Sequence, residues 1–203
     1  MGRSDEESWG VPLPQLLCEE SELGNVELFN AYFLAGYVSD LAIEWQGRFF
    51  FSPEIIRECN RLAMTGIYQC AGEYRNRPVT AGNFVGARHR DIALHVEAMC
   101  EYVNSQLDDP FHAAAYILWR TNWIHPFYDG NGRVSRELSY LALLAGLGVE
   151  EPDSMDTIPS LIDRETNRYM ECLRLADTFQ DDGLPNLAPL QSMICELSDE
   201  LFA

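Results

Sequence analysis

Two stripes of apolar residues at helical spacing stand on either side of one short polar turn, and this arrangement constrains the fold most. Asp109 and Pro110 open the first stripe, in which Phe111, Ala114, Ala115 and Leu118 share a face. Val134, Leu138, Leu141 and Ala145 make the second, before Gly146 and Gly148 end it. Between them runs HPFYDGNGRVSR, from His125 to Arg136. A turn that joins two such stripes is held by helices on both sides.

The rest of the chain reads in the same way. Val26, Phe29, Phe33, Tyr37 and Leu41 recur at three and four, which predicts an early helix with those residues on its buried face. Ser52 and Pro53 announce another, and helical patterning returns from Ile92 to about Leu107. Further helices are expected over about 158–178 and 187–201. The stretch from Gly72 to Gly86 mixes Tyr74, Val79, Thr80, Phe84 and Val85 with Arg, Asn, Pro and Gly, and reads as a short hairpin. The expected fold is all-α with one small β-hairpin. Residues 1–24 form a loose lead-in, 25–51 an N-terminal helix against the core, 52–178 the core domain and 179–203 a C-terminal helical extension.

The 203 residues suffice for one domain with a real core. With 32 acidic against 14 basic side chains the net charge is −18, a field that repels nucleic acid and anionic membranes, so neither is expected as a partner. The basic cluster Arg75, Arg77, Arg88 and Arg90 is small against that total. Cys18, Cys59, Cys70, Cys100, Cys172 and Cys195 form no CxxC pair and have no histidine at finger spacing. They read as ordinary thiols of a reducing compartment, not as a disulfide framework or zinc site. The first ten residues hold no apolar targeting core, Glu6 departs from a myristoylation signal, and no run of about 18 apolar residues occurs. A cytoplasmic protein is the expectation.

The chemistry lies in the turn. Gly130 and Gly132 around Asn131 allow successive amides to converge on an anion, and the following helix adds its unpaired N–H groups and dipole. Arg133 and Arg136 lie three apart on its first turns, where two cations are unfavourable unless something anionic joins them. Asp129 beside a phosphate suggests a shared Mg²⁺. His125, next to such a phosphate, suits taking a proton from an incoming hydroxyl, whereas His89, His95 and His112 are assigned structural roles. Phe127 is expected to point inward as an anchor.

These residues carry a resemblance. His125, Pro126, Phe127, Asp129, Gly130, Asn131, Gly132, Arg133 and Arg136 match the Fic family motif HPFx(D/E)GNGRxxR at every specified position. The similarity extends over about 52–178, with GEYR at Gly72 to Arg75 resembling the start of the family's flap hairpin. It implies that His125 is a general base deprotonating a Ser, Thr or Tyr hydroxyl of a target protein, which then attacks the α-phosphate of ATP, so that AMP is transferred and pyrophosphate released. Asp129 would hold Mg²⁺; Asn131 with the Gly130 and Gly132 amides would cradle the α- and β-phosphates; Arg133 and Arg136 would bind further out. Gly132 stands where the family's kinase-like toxin branch has lysine. Tyr169 and Leu173 fall where a nucleotide-side helix is expected, and Tyr74, Arg75, Val79 and Thr80 on the flap would dock the target as an added strand.

Many family members are restrained by a helix bearing (S/T)xxxE(G/N). Ser192 and Glu196 satisfy its first part near the C-terminus, with Leu197 departing from the expected Gly or Asn. Control by a separate antitoxin chain is the other arrangement the family implies. The sequence leaves open a transfer of another nucleotide or phosphodiester group, removal of AMP, and a catalytically silent nucleotide-binding module.

Overall fold

A computed structural model describes residues 14–45, 50–81, 84–106, 108–152, 154–178 and 184–202. Among these, the helices in chain order are α1 (Leu23–Trp45), α2 (Pro53–Met64), α3 (Ile92–Asn104), α4 (Pro110–Ile124), α5 (Asn131–Leu147), α6 (Ile158–Arg164), α7 (Thr166–Ala176) and α8 (Ala188–Leu201). The expected lead-in lies outside the described residues as far as position 13, and the stretch 179–183 does too. No helix among the described residues is long and apolar enough to cross a membrane.

The helices begin where their caps dictate. Asp109 accepts the backbone N–H of His112 at 2.9 Å and Pro110 occupies the first turn, which starts α4. Thr157 and Ser160 cap α6 reciprocally, each side chain bonding the other's backbone N–H. Gly148, in the left-handed region at φ 67°, ends α5. Gly146 does not end it: the residue is helical, and Pro110 packs so close that an added Cβ would stand 2.6 Å from the Pro110 Cβ. Glu165 breaks the single helix expected over 158–178 into α6 and α7.

The α4–α5 pair is the centre of the molecule, and its two helices make the most extensive contact in the fold. On α5 the run from Leu138 to Ala145 is buried on all sides, so this helix reaches solvent only towards its two ends. Packing of α1, α2 and α6 around α5, with α3 and α8 against α4, explains that saturation. Each fully buried leucine there contributes roughly 1.5–3 kcal/mol.

The buried face of α1 differs from expectation. Leu34, Val38 and Ala42 with Asn30 face inward, while Phe29 and Phe33 are 67% and 61% exposed. Asn30 explains the rotation: its side-chain amide donates to the carbonyls of Ala63 (3.1 Å) and Thr65 (2.8 Å), at the end of α2 where no intrahelical donor exists. One polar residue at the inner position outweighs the periodicity of the aromatic ones.

Between α2 and α3 the chain makes one two-residue antiparallel ladder, β1 (Thr80–Ala81) and β2 (Phe84–Val85), with Thr80 opposite Val85. Residues 82 and 83 between the strands lie outside the described residues. Both flanks of this ladder return to the α4–α5 turn.

Candidate active site

The backbone at the end of α4 sets the site. His125 caps α4 in a left-handed conformation, φ 51° and ψ 60°, with its N–H on the Thr121 carbonyl at 2.9 Å. A residue with a Cβ adopts that conformation only under constraint. The constraint comes from three directions. Arg75 donates from its Nε to the His125 carbonyl at 2.6 Å, and its own N–H bonds the Pro126 carbonyl at 2.9 Å. Gly86 lies so close that an added Cβ would stand 2.8 Å from the His125 Cβ. Phe127 is buried as expected and packs its ring on Tyr74 at 5.6 Å.

Two buried amides brace the loop. Asn131 accepts the Phe127 N–H and donates to the Phe127 carbonyl, both at 2.9 Å, so its side chain closes the turn and is not turned to a ligand. Asn60, on α2, donates to the Asp129 carbonyl and accepts the Gly72 N–H, again at 2.9 Å each, which ties the turn to the segment entering the hairpin. Gly130, at φ 78°, lies against the Met64 sulfur and the Asn60 amide, so its conformation and its space both demand glycine.

The α5 N-terminus therefore offers a narrower anion site than the sequence implied. The Gly130 N–H bonds the Asp129 carboxylate at 2.6 Å. The N–H groups of Asn131, Gly132 and Arg133 are the first-turn donors that a helix leaves to a ligand. The two arginines are joined by the chain's own carboxylates: Arg133 pairs with Glu27 of α1 at 2.7 Å and Arg136 with Asp163 of α6 at 3.0 Å. Expectation put an external anion between them; the structure gives each a separate acid.

His125, Gly132 and Arg136 line a cleft of about 370 Å³, together with Asp163 of α6, Thr166, Tyr169, Met170 and Leu173 of α7, and Asp177, which caps α7. Trp119 and Trp123 of α4 supply its aromatic wall. The indole N–H of Trp119 is fixed on Asp177 at 2.9 Å, and the Arg120 guanidinium lies 4.2 Å from the ring centre of Trp123. Tyr169 is buried, with its hydroxyl accepting from Asn122 at 2.9 Å; Asn122 also donates to Ser135 at 2.8 Å, which joins α4, α5 and α7 behind the cleft.

The imidazole of His125 is held neutral. Burial pushes its pKa down to about 4, and the Arg75 charge adds to the effect; a hydrogen bond with the Asn122 backbone and the Asp129 charge oppose both. In a neutral imidazole that donates one N–H to a carbonyl, the other ring nitrogen carries a lone pair able to take a proton.

Of the residues expected to dock a target, two face elsewhere. Arg75 is 2% exposed, with its guanidinium on backbone carbonyls, and Tyr74 is packed on Phe127 with a buried hydroxyl. Val79 is half-buried beside the first strand, in which Thr80 lies. Glu196 does not approach the motif arginines: it is exposed on α8, bonded to Ser192 at 3.0 Å and to Arg168 of α7 at 2.6 Å. Of the other histidines, His112 meets Tyr102 at 2.8 Å and His95 meets Arg120 at 3.3 Å. Asp129 is exposed and is not among the residues that line the cleft, and no group of three or more His, Cys, Asp or Glu among the described residues could hold a metal alone.

Sequence reasoning missed Asn60, Gly86 and Asn122. A buried asparagine on a helix has no spacing that marks it, and Gly86 is one glycine among several in a mixed segment. Asn122 alone had a signal, one turn before His125 on the same helix.

Comparison with known proteins agrees with this architecture. The Fic/DOC family model matches residues 50–143, the span from α2 through most of α5. A crystal structure of a Fic domain containing signaling protein from Bacteroides thetaiotaomicron superposes with a TM-score of 0.64, at 24% identity, over 86% of this chain and 69% of that one. A protein adenylyltransferase Fic of Drosophila persimilis is 37% identical over 76 residues, which are 36% of this chain and 15% of that longer protein. A Fido domain-containing protein of Dictyostelium discoideum is 31% identical over 125 residues, 59% of this chain and 81% of the relative. With one relative matched over most of its length and the family model lying on the helices that carry the His125 turn, the chain belongs to the Fic/DOC family.

Proposed function

We propose that this protein transfers AMP from ATP to a Ser, Thr or Tyr hydroxyl of a target protein. The observation that carries the reading is the cleft itself, in which a neutral histidine, the donor end of α5 and an aromatic wall converge. A nucleoside fits between Trp119, Trp123 and the Tyr169–Leu173 face of α7, where stacking and burial favour a flat base. Its phosphates then extend along the first turn of α5, received by the Asn131, Gly132 and Arg133 amides and by the guanidinium of Arg136.

The reaction follows from that placement. His125 takes the proton of the target hydroxyl, the oxygen attacks the α-phosphorus, and the bond from that phosphorus to the bridging oxygen breaks. Pyrophosphate leaves and AMP remains in phosphodiester linkage. Positioning and charge supply most of such catalysis. Asp129 suits Mg²⁺, which is commonly held by one carboxylate with phosphate oxygens and water, and which neutralises phosphate charge when bound. The adenylyltransferase name of the Drosophila relative supports the reading. The target would pair with the β1–β2 ladder as an added strand, a mode that the exposure of Val85 supports.

Mass spectrometry of a cell extract incubated with the protein and MgATP tests the proposal. Hydroxyl side chains carrying the added mass of AMP are expected. A different adduct, or removal of AMP from a modified protein, would transfer the same site to another phosphodiester chemistry.

A further inference from the structure

One buried side chain, that of Arg75, reaches from the hairpin to the end of the helix that carries His125. Arg75 is among the largest fully buried side chains of the protein, and every hydrogen bond of its guanidinium goes to a backbone carbonyl. Nε reaches His125 at 2.6 Å, Nη1 reaches Arg77 at 2.8 Å, and Nη2 reaches Ala87 and, at 3.3 Å, Ile124. A buried cation ordinarily requires a carboxylate. Here the C-terminal end of α4 takes its place: Ile124 is the last residue of the helix and His125 its cap, so their carbonyls lack intrahelical donors and carry the negative end of the dipole. Backbone bonds reinforce the join, from Arg75 to Pro126 at 2.9 Å and from Ala87 to Ile124 at 3.2 Å.

We propose that Arg75 is the positioning residue of the site: its guanidinium fixes the left-handed turn at His125 and fastens that turn to both ends of the hairpin. The imidazole is thereby aimed by the same segment that would receive a target. The planar fork is needed, since a lysine ammonium retains the charge but cannot reach carbonyls on both sides of the segment. The charged groups that face the imidazole are Arg75 from the hairpin side and Asp129 from its own loop.

The proposal rests on the reading of His125 as the base, yet its geometry lies within the chain itself and can be tested without transfer. Wild type, Arg75→Lys and Arg75→Met are compared as full chains for melting temperature, ATP affinity, transfer kinetics and NMR titration of the His125 ring. In both variants kcat is expected to fall on the order of a hundredfold while the ATP dissociation constant changes by less than about threefold. The His125 titration should move up towards the ordinary histidine value, further in Arg75→Met than in Arg75→Lys. Should Arg75→Met not fold, Arg75→Lys and an Arg75→Ala protein supplemented with guanidinium decide the matter, with partial recovery of kcat or of the ring titration expected. If wild type transfers nothing, the proposed function fails while the ring titration still judges this inference. Folded variants with an unchanged His125 titration and wild-type kcat, or a loss confined to melting temperature, overturn it.

Discussion

The His125 turn and the helix α8 both present polar and charged groups at a recognisable spacing, yet the two regions treat them differently. In the turn every oriented group is braced by something buried: Asn131 holds Phe127, Asn60 holds Asp129, and Arg75 holds the His125 carbonyl. On α8, Ser192 and Glu196 meet only each other and Arg168, all exposed. An exposed ion pair is worth little because water competes for it, whereas a buried amide costs several bonds if it is moved. Spacing becomes a site only where the interior fixes the direction of the groups it spaces.

That contrast can be broken at its strong end first. His125→Ala should lower kcat for transfer by roughly 10²–10⁴-fold, the usual range for a general base, with ATP affinity and melting temperature close to wild type. Loss of folding along with activity would move His125 from chemistry to structure. Gly86→Ala removes no catalytic group but drives a methyl against the His125 Cβ. A displacement of about an ångström there should cost on the order of a hundredfold in kcat, and wild-type kinetics would show that the hairpin yields freely.

The protonation of His125 gives a test without substrate. The folded protein holds the ring neutral down to about pH 4, whereas an unfolded histidine protonates near 6.5. The unfolded chain therefore binds the proton first. Above about pH 6.5 the group contributes no pH dependence, and as the pH falls towards about 4 it destabilises the fold. Denaturant curves of wild type and His125→Gln should diverge by about 2–3 kcal/mol over that window, because each tenfold loss of proton affinity on folding is worth roughly 1.4 kcal/mol. Parallel curves would mean that the ring is solvated.

Asn60→Ala sharpens the comparison from the side of stability. It leaves the Gly72 N–H and the Asp129 carbonyl without their partner, at a cost of about 1–3 kcal/mol in a urea titration. The smallest effect belongs to α8. Glu196→Gly removes a pair that is open to water, so transfer should stay unchanged and stability should move least among these variants. A large gain in transfer would restore an inhibitory role to this helix.

How much of this was legible depended on whether neighbours in sequence were also neighbours in space. The helix–turn–helix around His125 was readable because its caps, glycines and apolar stripes act within a few residues of one another. The inner face of α1 was not, since Asn30 faces inward for carbonyls of residues more than thirty positions away. Arg75 reads as one of the flap residues that dock a target, and only the fold brings the end of α4 around it. The arginines failed for the same reason: Glu27 and Asp163 are distant in sequence and adjacent in the structure.

The central claim is that the His125 turn moves AMP, and one paired measurement addresses it directly. ATP labelled at the α-phosphorus and ATP labelled at the γ-phosphorus are each incubated with Mg²⁺, a cell extract and either wild type or His125→Ala. Label entering protein from the α position alone, and only with wild type, is the predicted result. Label arriving from the γ position, or undiminished α label with His125→Ala, would contradict it.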